Sequence, residues 1–125
     1  NGKAVEATAE KGLDVLEAML DMDESSRHLG EVALVPYNSP INQTGILFLN
    51  TLFDENACCH LAFGRAFKNN IKNFEIMTDE DFEAIEFNQS VNHVDFMIGS
   101  EDLDITGYDF DGKAYQIFKD GVWAF

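Results

Sequence analysis

His93 and Asp95 carry the residue types and the spacing for metal chemistry. They lie in Asn92-His93-Val94-Asp95-Phe96-Met97-Ile98-Gly99, where β-branched and aromatic residues lead to a glycine, the pattern of a strand. Side chains alternate faces along a strand, so both project to the same side. Their roots are then roughly 7 Å apart, from a rise of about 3.3 Å per residue. Two metal ions about 3.5–4 Å apart would fit between an imidazole and a carboxylate so placed. The plain alternative is a core histidine bonded to a neighbouring aspartate, and His-x-Asp alone does not decide between the two.

More donors lie upstream. A dinuclear hydrolytic site needs carboxylates and imidazoles on rigid elements, with an open position for water. Glu31, Glu55 and His60 join His93 and Asp95 as candidates, each near a strand or strand end. Glu31 is the anomaly of the short apolar stretch Leu29-Gly30-Glu31-Val32-Ala33-Leu34-Val35-Pro36. An ionised carboxylate in a buried strand is costly unless it is paired, protonated or metal-bound; a place at the strand's exposed mouth explains it equally well. Glu55 and His60 belong to Thr51–His60, which reads as a structured loop carrying polar groups. With 23 acidic residues, chance clusters form easily, so the elements that hold these side chains decide the matter.

In order, Lys3 to Thr8 reads as a short strand and Glu10 to Leu20 as a helix, with Leu13, Leu16 and Leu20 on one face. Asp23 to His28 suggests one more helical turn capped by Asp23. Leu29 to Pro36 is a strand and Tyr37 to Gly45 a loop. Ile46 to Leu49 is too short for periodicity to separate helix from strand. Leu61 to Phe67 continues as a strand with Gly64 inside it, a mark of a bulge or a close backbone approach. Lys68 to Glu75 is a surface excursion. Thr78 caps a helix running to about Phe87 and Asn88, its first turn rich in acids. Leu103 to Thr106 and Tyr108 to Phe110 precede the Asp111-Gly112 hairpin turn. Lys113 to Phe118 returns, and Val122 to Phe125 follows the turn at Asp120-Gly121. Asp109-Phe110-Asp111-Gly112 lacks the later ligands of a calcium loop.

The chain of 125 residues is long enough for one domain with a core, and its 46% hydrophobic content argues against disorder. No run of about 18 apolar residues is present and no signal peptide is visible, so no membrane partner is expected. A net charge of −15 disfavours nucleic acid and suits cations, although most of the acids serve solubility. The adjacent Cys58 and Cys59 fit reduced thiols in a cytoplasmic protein better than a structural disulfide. The chain begins at Asn1 without a methionine, as a piece of something longer would.

Leu29 to Pro36, Ser39-Pro40-Ile41, Gly45-Ile46-Leu47-Phe48, Asn50-Thr51-Leu52-Phe53-Asp54-Glu55-Asn56-Ala57, His93 to Gly99 and Val122-Trp123-Ala124-Phe125 form ordered blocks along essentially the whole chain. Together they resemble the C-terminal third of the aminopeptidase T / aminopeptidase S (PepS) family of bacterial metallo-aminopeptidases. The resemblance implies removal of N-terminal amino acids from peptides by water activated at two divalent ions, zinc, cobalt or magnesium. It implies metal-binding roles for Glu31, Glu55, His60, His93 and Asp95, with Glu31 or Glu55 as proton shuttle, and it suggests dimers. Two departures stand out. Family members supply a further metal-binding glutamate from well upstream of Glu31, so this chain alone is expected to hold few or no ions and to be inactive without the missing N-terminal part. A tyrosine is common seven residues after the histidine matching His60, and here that position is Phe67.

The expected fold is α+β, one domain with a mixed or antiparallel sheet and a few short helices. The competing expectation is a non-catalytic interaction or scaffold domain that has lost the chemistry, its acids solvated and its histidines satisfied in the core.

Overall fold

A computed structural model describes residues 2–125. The fold is α+β, with two small antiparallel sheets and short helices. In chain order the elements are α1 (Leu13–Leu20), β1 (Leu29–Ala33), α2 (Pro40–Gln43), α3 (Thr51–Asp54), β2 (His60–Gly64), α4 (Asp79–Ala84), β3 (His93–Met97), β4 (Ile105–Tyr108), β5 (Ala114–Lys119) and β6 (Val122–Trp123). The strands order as β1-β2-β3 and β4-β5-β6. Backbone contacts gather the chain into two compact units, Asn1–Val32 with Leu61–Asp95, and Ala33–His60 with Phe96–Phe125. No described helix is long and apolar enough to cross a membrane.

In the first unit, close approach of the strands sets everything else. A Cβ on Gly30 would lie 1.9 Å from the Gly64 carbonyl oxygen, and one on Gly64 would lie 2.1 Å from that of Asn92. Gly64 also takes a φ of +91°, which side-chain-bearing residues rarely adopt. The close approach anticipated at Gly64 is therefore present, but as the last residue of β2 rather than inside a longer strand. Glu31 follows Gly30 and His93 follows Asn92, so the two glycines bring the sheet ends carrying both residues together.

A polar network fixes the entry to β3. Asn88, Ser90 and Asn92 are all buried. Asn88 Nδ2 donates to the carbonyls of Ser25 and His28, and Asn92 Nδ2 donates to that of Met19 at the end of α1. The Asp23 carboxylate accepts from Ser25 N–H, the Ser90 hydroxyl and Val91 N–H at 2.7–2.9 Å. Asp23 thus closes a turn and ties it to the 88–92 segment. Residues 23–28 form hydrogen-bonded turns and no further helix: Ser26 N–H bonds to the Asp23 carbonyl and His28 N–H to that of Ser25, with the Asp23 carboxylate on Ser25 N–H at their start.

Three other expectations shift. Lys3 makes a single bridge to His28 in place of a strand over 3–8. The first helix starts at Leu13, after Gly12 at φ +70°. The helix capped by Thr78 has the full reciprocal cap with Asp81 but ends at Ala84. It stops because Glu86 turns left-handed (φ +54°) while Phe87 N–H bonds back to the Phe82 carbonyl and Glu86 N–H to that of Glu83, the arrangement of a Schellman end.

In the second unit β4 and β5 pair antiparallel around Asp111-Gly112, where the Asp109 carboxylate accepts from Asp111 and Lys113 N–H. The hairpin turn read from sequence is present. Phe118 is fully buried, with the Trp123 ring tilted against it at 4.4 Å between centroids. Residues 37–45 include the short α2, whose Ser39 accepts from Asn42 N–H at its start. Residues 51–57 are helical, α3 running into a 3-10 turn over Glu55–Ala57. Ile46, Leu47 and Leu49 lie in irregular, exposed chain.

The hydrogen bond from the Ser90 hydroxyl, followed by that from Val91 N–H, lowers the Asp23 carboxyl to about 2, against about 3.9 in an unfolded chain. A depressed folded value adds stability that is fully present above the unfolded value and is lost as pH falls through about 2. Melting temperatures of wild type and Asp23→Asn should therefore converge between pH 5 and pH 2. A constant gap across that window would show that Asp23 plays no part in acid unfolding.

Candidate metal centre

Glu31 in β1 and His93 and Asp95 in β3 belong to the first unit, and their side chains meet. His93 Nε2 lies 3.3 Å from Glu31 Oε2 and 3.4 Å from Asp95 Oδ1. One ligand atom from each of the three lies within 4.8 Å of the others. The shared face predicted for His93 and Asp95 is thus observed. Glu31 is half-buried, and its carboxylate faces His93.

The imidazole's orientation comes from the backbone. His93 Nδ1 is 2.7 Å from the Arg65 carbonyl oxygen. A carbonyl cannot donate, so Nδ1 carries the proton and Nε2 points toward the two carboxylates. In the neutral imidazole Nε2 then presents a lone pair to two anions. Asp95 Oδ1 is buried without accepting any hydrogen bond. Such an atom is costly unless a cation meets it. Metal–ligand bonds of about 2.0–2.1 Å place the donors of a tetrahedral site about 3.3–3.4 Å apart, which matches both separations. The three residues therefore fit a divalent ion, and the Arg65 carbonyl is the partner that typically orients a metal-binding histidine.

Glu55 and His60 stand in the second unit. Glu55 opens the 3-10 turn that follows α3. The turn is held by Ser39, whose hydroxyl lies 3.0 and 2.8 Å from the carbonyl oxygens of Asn56 and Ala57. Ahead of it, the Asp54 carboxylate accepts from Phe48 and Asn50 N–H and closes the loop. His60 is buried, and its Nδ1 donates to the Cys58 carbonyl at 3.1 Å. It therefore has the same tautomer as His93, with the proton on Nδ1. Cys58 and Cys59 are free and buried, and burial raises the Cys58 thiol above its ordinary range, which makes it a packing residue and not a nucleophile.

Sequence reasoning passed over Ser39, Arg65 and the 88–92 network. Only the network left a signal, the small polar residues at alternate positions 88, 90 and 92. Phe67 sits edge-on to His93, with ring centroids 5.0 Å apart.

The chain matches, over residues 1–123, the family described as thermophilic metalloprotease (M29). It belongs to that family. Among its relatives, aminopeptidase AmpS of Bacillus subtilis (strain 168) is 54% identical over all 125 residues, which are 30% of that protein. Aminopeptidase T of Thermus aquaticus is 48% identical over 123 residues, 98% of this chain and 30% of the relative. The solved structure of wild-type AmpT from Thermus thermophilus superposes with a TM-score of 0.88 at 48% identity, covering 99% of this chain and 30% of that one. This M29 chain thus spans about 30% of the length of the relatives it matches.

Calorimetric titration of the M29 chain with zinc or cobalt should detect binding that His93→Ala weakens at least tenfold, since a ligand counts for no less than a second-layer partner. Equal affinity in the variant would place the ion elsewhere.

Proposed function

We propose that this chain forms the C-terminal, metal-binding portion of a cytoplasmic dinuclear metallo-aminopeptidase that removes N-terminal amino acids from peptides. The observation that carries the reading is the Glu31–His93–Asp95 cluster, with its buried, unsatisfied Asp95 oxygen. The relatives' names as aminopeptidases and their M29 membership support it, and free cysteines suit a reducing compartment.

In this reading Glu31, His93 and Asp95 would hold a divalent ion, and the family resemblance makes Glu55 and His60 metal ligands as well. Bound divalent ions polarise the scissile carbonyl and lower the pKa of water toward about 7. The protein's own groups do the rest. The Arg65 and Cys58 carbonyls keep His93 and His60 in the ligand tautomer. A carboxylate, Glu31 or Glu55, takes the proton of the attacking water and delivers it to the leaving amine. The family resemblance asks for one more glutamate from upstream of Glu31, so the 125 residues alone should bind metal incompletely and turn over negligibly.

Phe67 favours a second reading, a domain that has shed its chemistry. Its ring lies beside His93 but carries no hydroxyl to donate. The two readings separate in a full-length protein that contains this chain. About two ions per chain and hydrolysis of an aminoacyl anilide support the enzyme, whereas a metal-free, inert protein supports the scaffold. A 125-residue chain with two tight sites and parent-like turnover would refute the need for upstream residues.

Replacing Phe67 by tyrosine in the full-length enzyme should raise kcat by up to about a hundredfold, the usual weight of one transition-state hydrogen bond. No gain in a folded, metal-loaded variant would mean the reaction does not use a hydroxyl there.

A further inference from the structure

Beside the metal cluster, in the same unit, lies a cavity of about 420 Å³ lined by Arg65, Ala66, Phe67, Lys68, Phe87 and Gln89. That is the size of a small-ligand pocket. Two of its wall residues also touch the cluster. Phe67 packs edge-on against His93, and the Arg65 backbone orients the His93 ring.

The charge of this cavity is out of character with the chain. Only eight residues of the chain are lysine or arginine, against 23 acids, yet two of the eight line this one space. Arg65 donates from Nε to the Ser90 carbonyl at 2.9 Å, and among the described residues it forms no ion pair with a carboxylate. Lys68 lies over the Phe82 ring at 4.1 Å, and its Nζ is 3.7 Å from Asp79. Asp79 is exposed, so that long contact offsets only part of the lysine's charge. Glu83 and Glu86 line an adjoining cavity, with Glu24 and His28, which shares the Phe87 and Gln89 wall with this one. Phe67 and Phe87 supply apolar walls next to the two cations.

We propose that this cavity binds the carboxylate of a short peptide substrate, with Arg65 and Lys68 taking the charge and Phe67 and Phe87 flanking the residue that bears it. The proposal rests on the metallo-aminopeptidase reading, which places the scissile bond at the metal cluster. An extended peptide advances about 3.3–3.6 Å per residue, so one bound at His93 passes Phe67 within roughly two residues. A carboxylate at that distance is the C-terminus of a di- or tripeptide, or an acidic side chain at the same position. Arginine's planar fork suits a carboxylate, and lysine adds a point charge. Small peptides would then be selected over longer chains, whose C-terminal carboxylate lies far beyond the cavity.

The test compares Leu-Leu with Leu-Leu amide as substrates of the full-length enzyme. Wild type should favour the acid about tenfold in kcat/KM, mainly through KM, as expected for a charge-assisted hydrogen bond. In Arg65→Gln and Lys68→Gln, made separately because Arg65 also bonds to Ser90, the acid-to-amide ratio should fall toward one. Leu-Glu amide separates the two sources. Loss of its cleavage in the variants assigns the carboxylate to a side chain, whereas loss confined to Leu-Leu assigns it to the C-terminus; either result supports the cavity as a carboxylate site. Calorimetry with N-acetyl-Leu-Leu and its amide makes the same comparison without turnover. An enzyme that cleaves neither substrate would refute the aminopeptidase reading, and calorimetry would then decide the cavity by the same criterion. Equal handling of acid and amide by wild type, or a ratio unchanged in both variants, would overturn the proposal.

Discussion

The close backbone approach at Gly30 and Gly64 is the constraint on which the metal cluster depends. Glu31 and His93 are adjacent in sequence to the points of contact, Gly30 and Asn92. A methyl group at either glycine would meet a carbonyl oxygen at about 2 Å, well inside contact distance, and would force the strands apart. The separations of 3.3 and 3.4 Å around His93 Nε2 leave little tolerance for such a shift. Precision at the site is therefore a property of sheet spacing first and of ligand identity second.

Once the strands are close, the polar groups inside them must be answered. Asn88, Ser90 and Asn92 are buried, yet each has partners, from Ser25, His28 and Met19 to Asp23. A buried network is costly if half made and rigidifying if complete. This one locks the residue before His93 to the end of α1. Asp95 Oδ1 is the contrasting case, a buried oxygen left without a hydrogen bond. In a segment that otherwise satisfies its buried polar side chains, the exception falls on the oxygen that faces His93 Nε2.

Features that depend on a single residue's stereochemistry were legible in the sequence. Gly64 announced a close approach, Asp111-Gly112 a turn, Thr78 a cap, and the alternation of His93 and Asp95 a shared face. Features that depend on a partner were not. Lys3 to Thr8 reads as a short strand, but among the described residues it makes one bridge, Lys3 with His28. Asp23 accepts from Ser25 N–H at the start of its turn, but its second oxygen reaches Ser90, far off in the chain. The helix after Thr78 ends at a left-handed Glu86, with no glycine to signal it. The candidate ligands were visible as residue types, and the family resemblance chose among 23 acids. The acceptors that orient the two imidazoles were invisible because they are main-chain carbonyls.

That last feature has an evolutionary corollary. Every residue type at position 65 presents the same carbonyl to His93 Nδ1, so the proton pattern of the imidazole is inherited from the path of the chain. The side chain at 65 points its chemistry elsewhere, donating to Ser90 and lining the neighbouring cavity. One residue thus serves two tasks through parts that mutate independently. Exchanging its side chain can retune what the cavity accepts while the histidine's orientation is passed on unchanged.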